Sequence, residues 1–169
     1  MANYISRKKT LMGKNYEIEV PLPQYGGDIV RVHAIPDLEL ARIEARAGYK
    51  LEDAIASLSS QTLSPEEVKS LQDNAATPEI VQKGSRALSP ELTLFLGEIC
   101  KAAIVPNPDC PCKGKGCEDC DVNKMVEEFR GFTVLMVGMA AIGASTSSWS
   151  EVQDFFSRQK EQSGAGSPA

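Results

Sequence analysis

Four of the five cysteines of the chain fall within one short segment, where their spacing is C-x-C-x4-C-x2-C. Thiolates bind Zn²⁺ in tetrahedral geometry, so four of them complete the coordination of one ion. Gly114 and Gly116, between the two cysteine pairs, permit the positive φ angles that a loop around an ion requires. The sequence therefore predicts a structural zinc site, and its ligands are Cys110, Cys112, Cys117 and Cys120.

Other chemistries fit the same four residues and stay open at this point. Two disulfides or four unligated thiols are one alternative, which the lack of a secretion signal disfavours. An iron-sulfur cluster also takes four thiolates, but such clusters usually serve redox partners that nothing in the sequence suggests. A redox dithiol is a weaker interpretation, because a C-x-C pair flanked by further cysteines is typical of metal ligands. The fifth cysteine, Cys100, lies among apolar residues and is predicted to be a core residue.

Side chains that could perform catalysis are few. His33 is the only histidine, and beside Arg31 on a predicted strand it is expected to be solvated. The acidic pairs Glu66-Glu67 and Glu127-Glu128 lie near predicted helix starts, where carboxylates complement the helix dipole. We therefore expect a protein that is not an enzyme. Cysteine chemistry in the 110–120 loop would be the basis of the opposing hypothesis, an enzyme or redox protein.

The balance of charge favours a protein partner. The 169 residues include 18 Lys and Arg against 23 Asp and Glu, a net charge of −5, which opposes binding to nucleic acid or to an anionic membrane. Lys113 and Lys115 in the cysteine loop are outnumbered by neighbouring acids. The first residues are charged but lack the apolar run of a signal peptide, so a cytoplasmic location is expected.

Apolar residues recur with a period of two in the N-terminal part of the chain and with helical spacing after it. Apolar and charged residues alternate on both sides of the turn-rich PQYGGD, which predicts a β-hairpin over 15–35. Helices are predicted over 37–105, one of them ended by Gly48, and three of them begin with a hydroxyl N-cap, a proline and an acid. These three starts are Ser64-Pro65-Glu66, Thr77-Pro78-Glu79 and Ser89-Pro90-Glu91.

The cysteine loop, 106–121, is predicted to join a helix that ends at Val105 to a long helix over Asp121–Ala144. The apolar half of that helix, from Phe132, is shorter than the about 20 residues of a membrane span, so it is expected to be a buried core helix. Helices are predicted over 122–160, followed by a disordered tail at 161–169. The expected fold is α+β, mostly α: one domain over 1–160, with a hairpin, a helical bundle and an inserted four-cysteine metal loop.

The order of these parts resembles the tail assembly chaperones of long-tailed bacteriophages and related archaeal viruses. The resemblance lies in "EVPLP", a polar turn, "VRV", a helix that opens with Asp37-Leu38-Glu39, and the closing SSWSEVQDFF with its polar tail. In that family the chaperone coats the apolar helices of the tape-measure protein before tail tube subunits polymerise around it. The resemblance implies a non-enzymatic assembly or scaffolding protein with a tape-measure-like partner.

Aromatic residues near the C-terminus are the predicted contacts with that partner: Trp149, Phe155 and Phe156. A homo-oligomer is compatible with the same sequence. The alternative hypothesis is a zinc-containing regulatory or nucleic-acid-associated module, with Lys113 and Lys115 as its contacts.

Overall fold

The computed structural model describes residues 17–59, 62–107, 109–112 and 117–146. These residues form a small antiparallel sheet at the N-terminal side and a set of helices that encloses an apolar core. The expected fold class, mostly α with an N-terminal hairpin and a four-cysteine loop, is confirmed. The single domain over 1–160 stays a prediction.

The predicted hairpin is present. Strand β1 (Glu17–Leu22) pairs antiparallel with β2 (Asp28–His33), and Val20 lies opposite Val30. A short 3-10 turn connects the strands, and Gly26 and Gly27 follow it with φ angles of 72° and 89°, which a residue with a Cβ rarely adopts. The alternation of the strands buries one face of the hairpin against the helices and exposes the other.

The sheet has a third strand where the sequence predicts the end of a helix. Strand β3 (Ile104–Val105) pairs antiparallel with β2, so the helix does not continue to Val105. Proline disfavours helical geometry in the residue before it, and Pro106 follows Val105. The two β-branched residues are therefore extended, and the open edge of β2 provides their partner.

Five helices follow the hairpin: α1 (Asp37–Ala47), α2 (Leu51–Ser59), α3 (Pro65–Gln72), α4 (Pro78–Arg86) and α5 (Pro90–Ala103). The three predicted caps are confirmed, because the hydroxyls of Ser64, Thr77 and Ser89 each accept a hydrogen bond from a backbone N–H in the first turn. Gly48 ends α1 in the left-handed conformation, as expected. Helix α1 packs on α5.

The long helix predicted over Asp121–Ala144 is divided in two. Helix α6 (Val122–Glu127) has Glu128 as its C-cap, and a second helix, α7, spans 131–146. The carbonyl of Arg130 accepts hydrogen bonds from the N–H groups of Thr133 and Val134, so α7 begins there. Gly131 at the break has low helix propensity. The division allows the amphipathic α6 to keep its polar face exposed while the apolar α7 enters the core.

Helix α7 is the central helix of the described structure. Its residues from Thr133 to Ala144 are buried except Met136 and Gly143, which confirms the predicted core helix. Gly138 lies against Leu96 of α5, and Gly143 lies against the backbone of Gln72 at the end of α3. Among the described residues, no helix has both the length and the apolar character to cross a membrane.

Candidate metal centre

Two short turns carry the four clustered cysteines. After β3, the side chain of Asn107 accepts a hydrogen bond from the N–H of Asp109 at 3.0 Å, and its carbonyl accepts from the N–H of Cys110 at 3.3 Å. The second turn is a 3-10 helix over Glu118–Cys120, in which the N–H of Cys120 donates to the carbonyl of Cys117 at 3.1 Å. The two turns therefore bring the two cysteine pairs close to each other.

The sulfur atoms of the two turns converge. The Sγ atoms of Cys110, Cys112, Cys117 and Cys120 all lie within 4.8 Å of one another. Those of Cys110 and Cys117 are 3.4 Å apart. A tetrahedral ion with metal-sulfur bonds of about 2.3 Å places its sulfur ligands about 3.8 Å apart, which lies between these two distances. All five cysteines of the chain are free thiols, so the four meet as a donor set and not as two disulfides.

The close packing of the cluster opposes the ionisation of two of its thiols, Cys117 and Cys120. The hydrogen bond with Cys110 has the largest effect, and together with burial it raises the pKa of the Cys117 and Cys120 thiols above the ordinary value of 9.0. A second thiolate beside a first is unfavourable unless a positive charge compensates it. A divalent cation provides that compensation, because the thiolate and not the thiol is the metal ligand. The donor set therefore fits a metal ion such as Zn²⁺.

The cysteine loop is attached at both ends to the core. It begins directly after β3, which pairs with β2 of the hairpin. It ends at Asp121, whose carboxylate caps α6 by accepting hydrogen bonds from the N–H groups of Asn123 and Lys124. An ion bound by the two turns would therefore connect the sheet to α6. Gly114 and Gly116, together with Lys113 and Lys115, lie outside the described residues.

The fifth cysteine belongs to the core. Cys100 on α5 is fully buried, and its Sγ donates a hydrogen bond to the carbonyl of Val134 on α7 at 3.6 Å. Burial raises the pKa of the Cys100 thiol and keeps it neutral. This position matches the predicted core role.

An apolar groove lies on another side of the molecule, between the hairpin turn, α4 and α7. We call it the α4–α7 groove; its volume is about 690 Å³. Phe132 and Met136, the partly buried residues of α7, line one side of it, and Gln82 and Ser85 of α4 line the other. Sequence analysis did not identify this groove. Three prolines, Pro21, Pro23 and Pro78, also lie in its lining.

The predicted partner contacts Trp149, Phe155 and Phe156 lie outside the described residues, as does the predicted tail at 161–169. Among the described residues, the four clustered cysteines form the one group of three or more His, Cys, Asp or Glu side chains able to hold a metal ion. Comparisons with protein-family models, with curated proteins and with solved structures find no match to this chain.

Proposed function

We propose that this chain is a non-enzymatic assembly or scaffolding protein of the tail assembly chaperone kind, and that a structural Zn²⁺ completes its fold. The observation that carries the zinc part of the proposal is the convergence of four cysteine sulfur atoms within 4.8 Å. Four thiolates fill a tetrahedral shell and leave no position for a water or a substrate, so such an ion stabilises the fold and does not catalyse.

The spacing of the sulfur atoms supports a single ion over an iron-sulfur cluster. A multi-iron cluster must fit its own iron and sulfide atoms between the cysteine ligands, whereas Cys110 and Cys117 have their Sγ atoms 3.4 Å apart. A single ion needs no such room. Zn²⁺ is the ion proposed here because all-thiolate tetrahedral sites are typical of structural zinc.

The α4–α7 groove supports the protein-binding part of the proposal. An apolar helix docks in a groove through side chains spaced three or four residues apart, and this groove is open and mostly apolar. Phe132 and Met136 lie one helical turn apart on its wall. The proposed occupant is an apolar helix of a tape-measure-like protein, as the resemblance to tail chaperones implies.

Elemental analysis tests the metal. Protein purified without chelator is expected to carry about one zinc per chain, because the four thiolates form one complete site. Removal of the ion with a chelator is expected to lower the free energy of unfolding, since a structural zinc contributes folding free energy directly. Protein with no metal and with its clustered cysteines paired as disulfides would contradict the proposal.

Co-expression tests the partner. The chain is expected to raise the soluble yield of a tape-measure-like protein encoded beside it, and the variant Gln82→Lys is expected to reduce that gain, because a charged side chain would enter the α4–α7 groove. Asn123→Lys is the matched control, since Asn123 is exposed on α6 and does not line this groove. Equal yields with and without the chain would contradict the assembly function.

A further inference from the structure

A second groove lies beside the cysteine loop. It occupies about 640 Å³ between the open part of β2, the turn at Asn107 and helix α6. Strand β3 pairs only with Arg31 and Val32, so the first half of β2 has no strand on this side. We call this surface the acidic groove and define it by two sets of lining residues: the acids Asp28, Asp109, Asp119 and Glu128, and the apolar Tyr25, Ile29, Met125 and Phe129.

The carboxylates of the groove are without basic partners in the described structure. The one base in the lining, Arg31, is paired with Glu19 at 3.2 Å. None of Asp28, Asp109, Asp119 and Glu128 forms an ion pair with a described lysine or arginine, and all four are exposed. Among the described residues, these four negative charges along the sides of the groove are therefore uncompensated.

Apolar surface lies between these charges. The side chain of Ile29 is 57% exposed and that of Tyr25 is 42% exposed, and they are two of the large exposed hydrophobic residues of the described structure. The Tyr25 ring contacts the Phe129 ring, with 6.4 Å between the centroids. This pair joins the hairpin turn to the short segment between α6 and α7. Exposed apolar surface bordered by charge is typical of a binding site for another protein.

The arrangement decides which ligand fits. The acids do not converge on one point, since the four cysteines form the one candidate metal group among the described residues, so a single divalent cation is not favoured. Phosphate groups of nucleic acid or lipid would be repelled. A ligand that matches both the acidic and the apolar residues of the groove has several positive charges and apolar side chains between them. We propose that the acidic groove binds a Lys- and Arg-rich amphipathic segment of a partner protein.

The metal centre contributes to this surface. Asp109 precedes the ligand Cys110, and Asp119 precedes the ligand Cys120, so an ion that holds the two turns together also holds these two carboxylates at the groove. This part of the inference rests on the proposed zinc site. Binding of the basic segment is therefore expected to weaken when the metal is removed, even though none of the four cysteines lines the groove.

Fluorescence anisotropy with the full-length, zinc-loaded chain tests the inference. The probe is a labelled synthetic peptide that repeats Leu and Lys at helical spacing, and its control has Glu in place of Lys. We expect the Lys peptide to bind, with an affinity that falls as salt rises, and the Glu peptide not to bind. The double variant Asp28→Lys with Glu128→Lys should weaken binding at least about tenfold.

Matched variants separate the groove from general effects. Asp73→Lys makes the charge change of one of these two substitutions at an exposed residue outside the groove and should leave the affinity close to that of the native chain. Ile29→Thr removes apolar surface from the groove and should weaken binding, whereas Leu94→Gln, at a residue 71% exposed on α5, should not. Zinc content is measured for every variant, so loss of the metal is distinguished from loss of the groove.

Several results would overturn the inference. Equal binding of the Lys and Glu peptides, or binding that the Asp28 and Glu128 variants leave unchanged, would exclude the acidic groove as the site. Zinc-loaded chain that binds neither peptide would do so while leaving the metal proposal intact. Binding of the Lys peptide only after residues 1–16 are deleted would show that this basic segment of the chain itself occupies the groove. Self-association of the chain that the Asp28 and Glu128 substitutions abolish would show that a second copy of the chain occupies the groove.

Discussion

The four clustered cysteines and Cys100 differ in what surrounds them. The clustered sulfur atoms face one another at the junction of two exposed turns, where a cation can replace their protons. The thiol of Cys100 is enclosed by α5 and α7 and donates to a backbone carbonyl, so its exchange for a metal bond would require the core to open.

Substitution of single cysteines tests this difference. Cys117→Ser is expected to lose the zinc and to lower the free energy of unfolding, because one ligand of the shell is missing. Cys100→Ala should retain the zinc and lower the unfolding free energy by only about 1 kcal/mol, since one buried heavy atom is removed. Zinc content and urea unfolding measure both effects. Equal metal loss in the two variants would show that Cys100 is a ligand.

Glu67 is another residue whose role depends on its contacts. Its carboxylate accepts a hydrogen bond from the N–H of Ser64 at 2.6 Å and two from the Lys83 ammonium at 3.0 and 3.1 Å. The Ser64 N–H has the largest effect, followed by Lys83, and they lower the pKa of Glu67 from its ordinary value of 4.5. The stabilising effect is therefore complete above pH 4.5 and is lost as the pH falls through the lower folded-state pKa.

The variant Glu67→Gln should show this pH dependence. At neutral pH it is expected to be less stable than the native chain, and the difference should shrink as the pH falls below 4.5, where the native carboxylate becomes protonated. Urea unfolding at a series of pH values measures it. Glu66→Gln is the control, since Glu66 is exposed in the same helical turn. A stability difference that is independent of pH would show that the charge of Glu67 is not responsible.

At the scale of elements, the approach of α7 to α3 depends on Gly143. A Cβ atom at this position would lie 2.7 Å from the carbonyl carbon of Gln72 and 2.9 Å from its Cβ. Backbone atoms cannot rotate away as a side chain can, so the two elements would have to separate. Gly138 makes a similar but looser approach to Leu96, whereas a Cβ at Gly131 would meet Leu88 only at an ordinary contact distance of 3.6 Å.

Glycine-to-alanine substitutions test this contact. Gly143→Ala is expected to destabilise the chain by about 1–3 kcal/mol through overpacking. Gly97→Ala, inside α5, is the control: a Cβ there meets no atom within 4 Å, so it should stabilise the chain by about 0.4–1 kcal/mol through the unfolded state. Thermal and urea unfolding measure both. Native stability in Gly143→Ala would contradict the close approach of α7 and α3.

At the scale of the whole molecule, the net charge of −5 and the acids beside the cysteine loop determine which partners are repelled. The chain is expected to show no affinity for duplex DNA or for RNA at physiological salt, since it lacks the positive field that phosphate binding requires. Fluorescence anisotropy with labelled oligonucleotides measures this. Sub-micromolar binding that weakens steeply as salt rises would favour a zinc-containing nucleic-acid-associated module over the assembly protein.

Local interactions made much of this molecule predictable from its sequence. The caps at Ser64, Thr77 and Ser89 use hydrogen bonds that span only three residues, so their residue types suffice to place the helix starts. The alternation in β1 and β2 likewise specifies which face of the hairpin is buried. The cysteine cluster was predictable for the same reason, because its four members lie within one short loop.

Interactions between distant parts of the chain were decided only by the tertiary structure. Ile104 and Val105 become a strand because β2 offers them an open edge, and α6 ends before α7 because one is a surface helix and the other enters the core. The two grooves arise where separate elements meet, so no single segment contains their pattern. The sequence determined local elements and the cysteine cluster, whose interactions are short-range, whereas packing of elements far apart in sequence determined the two grooves.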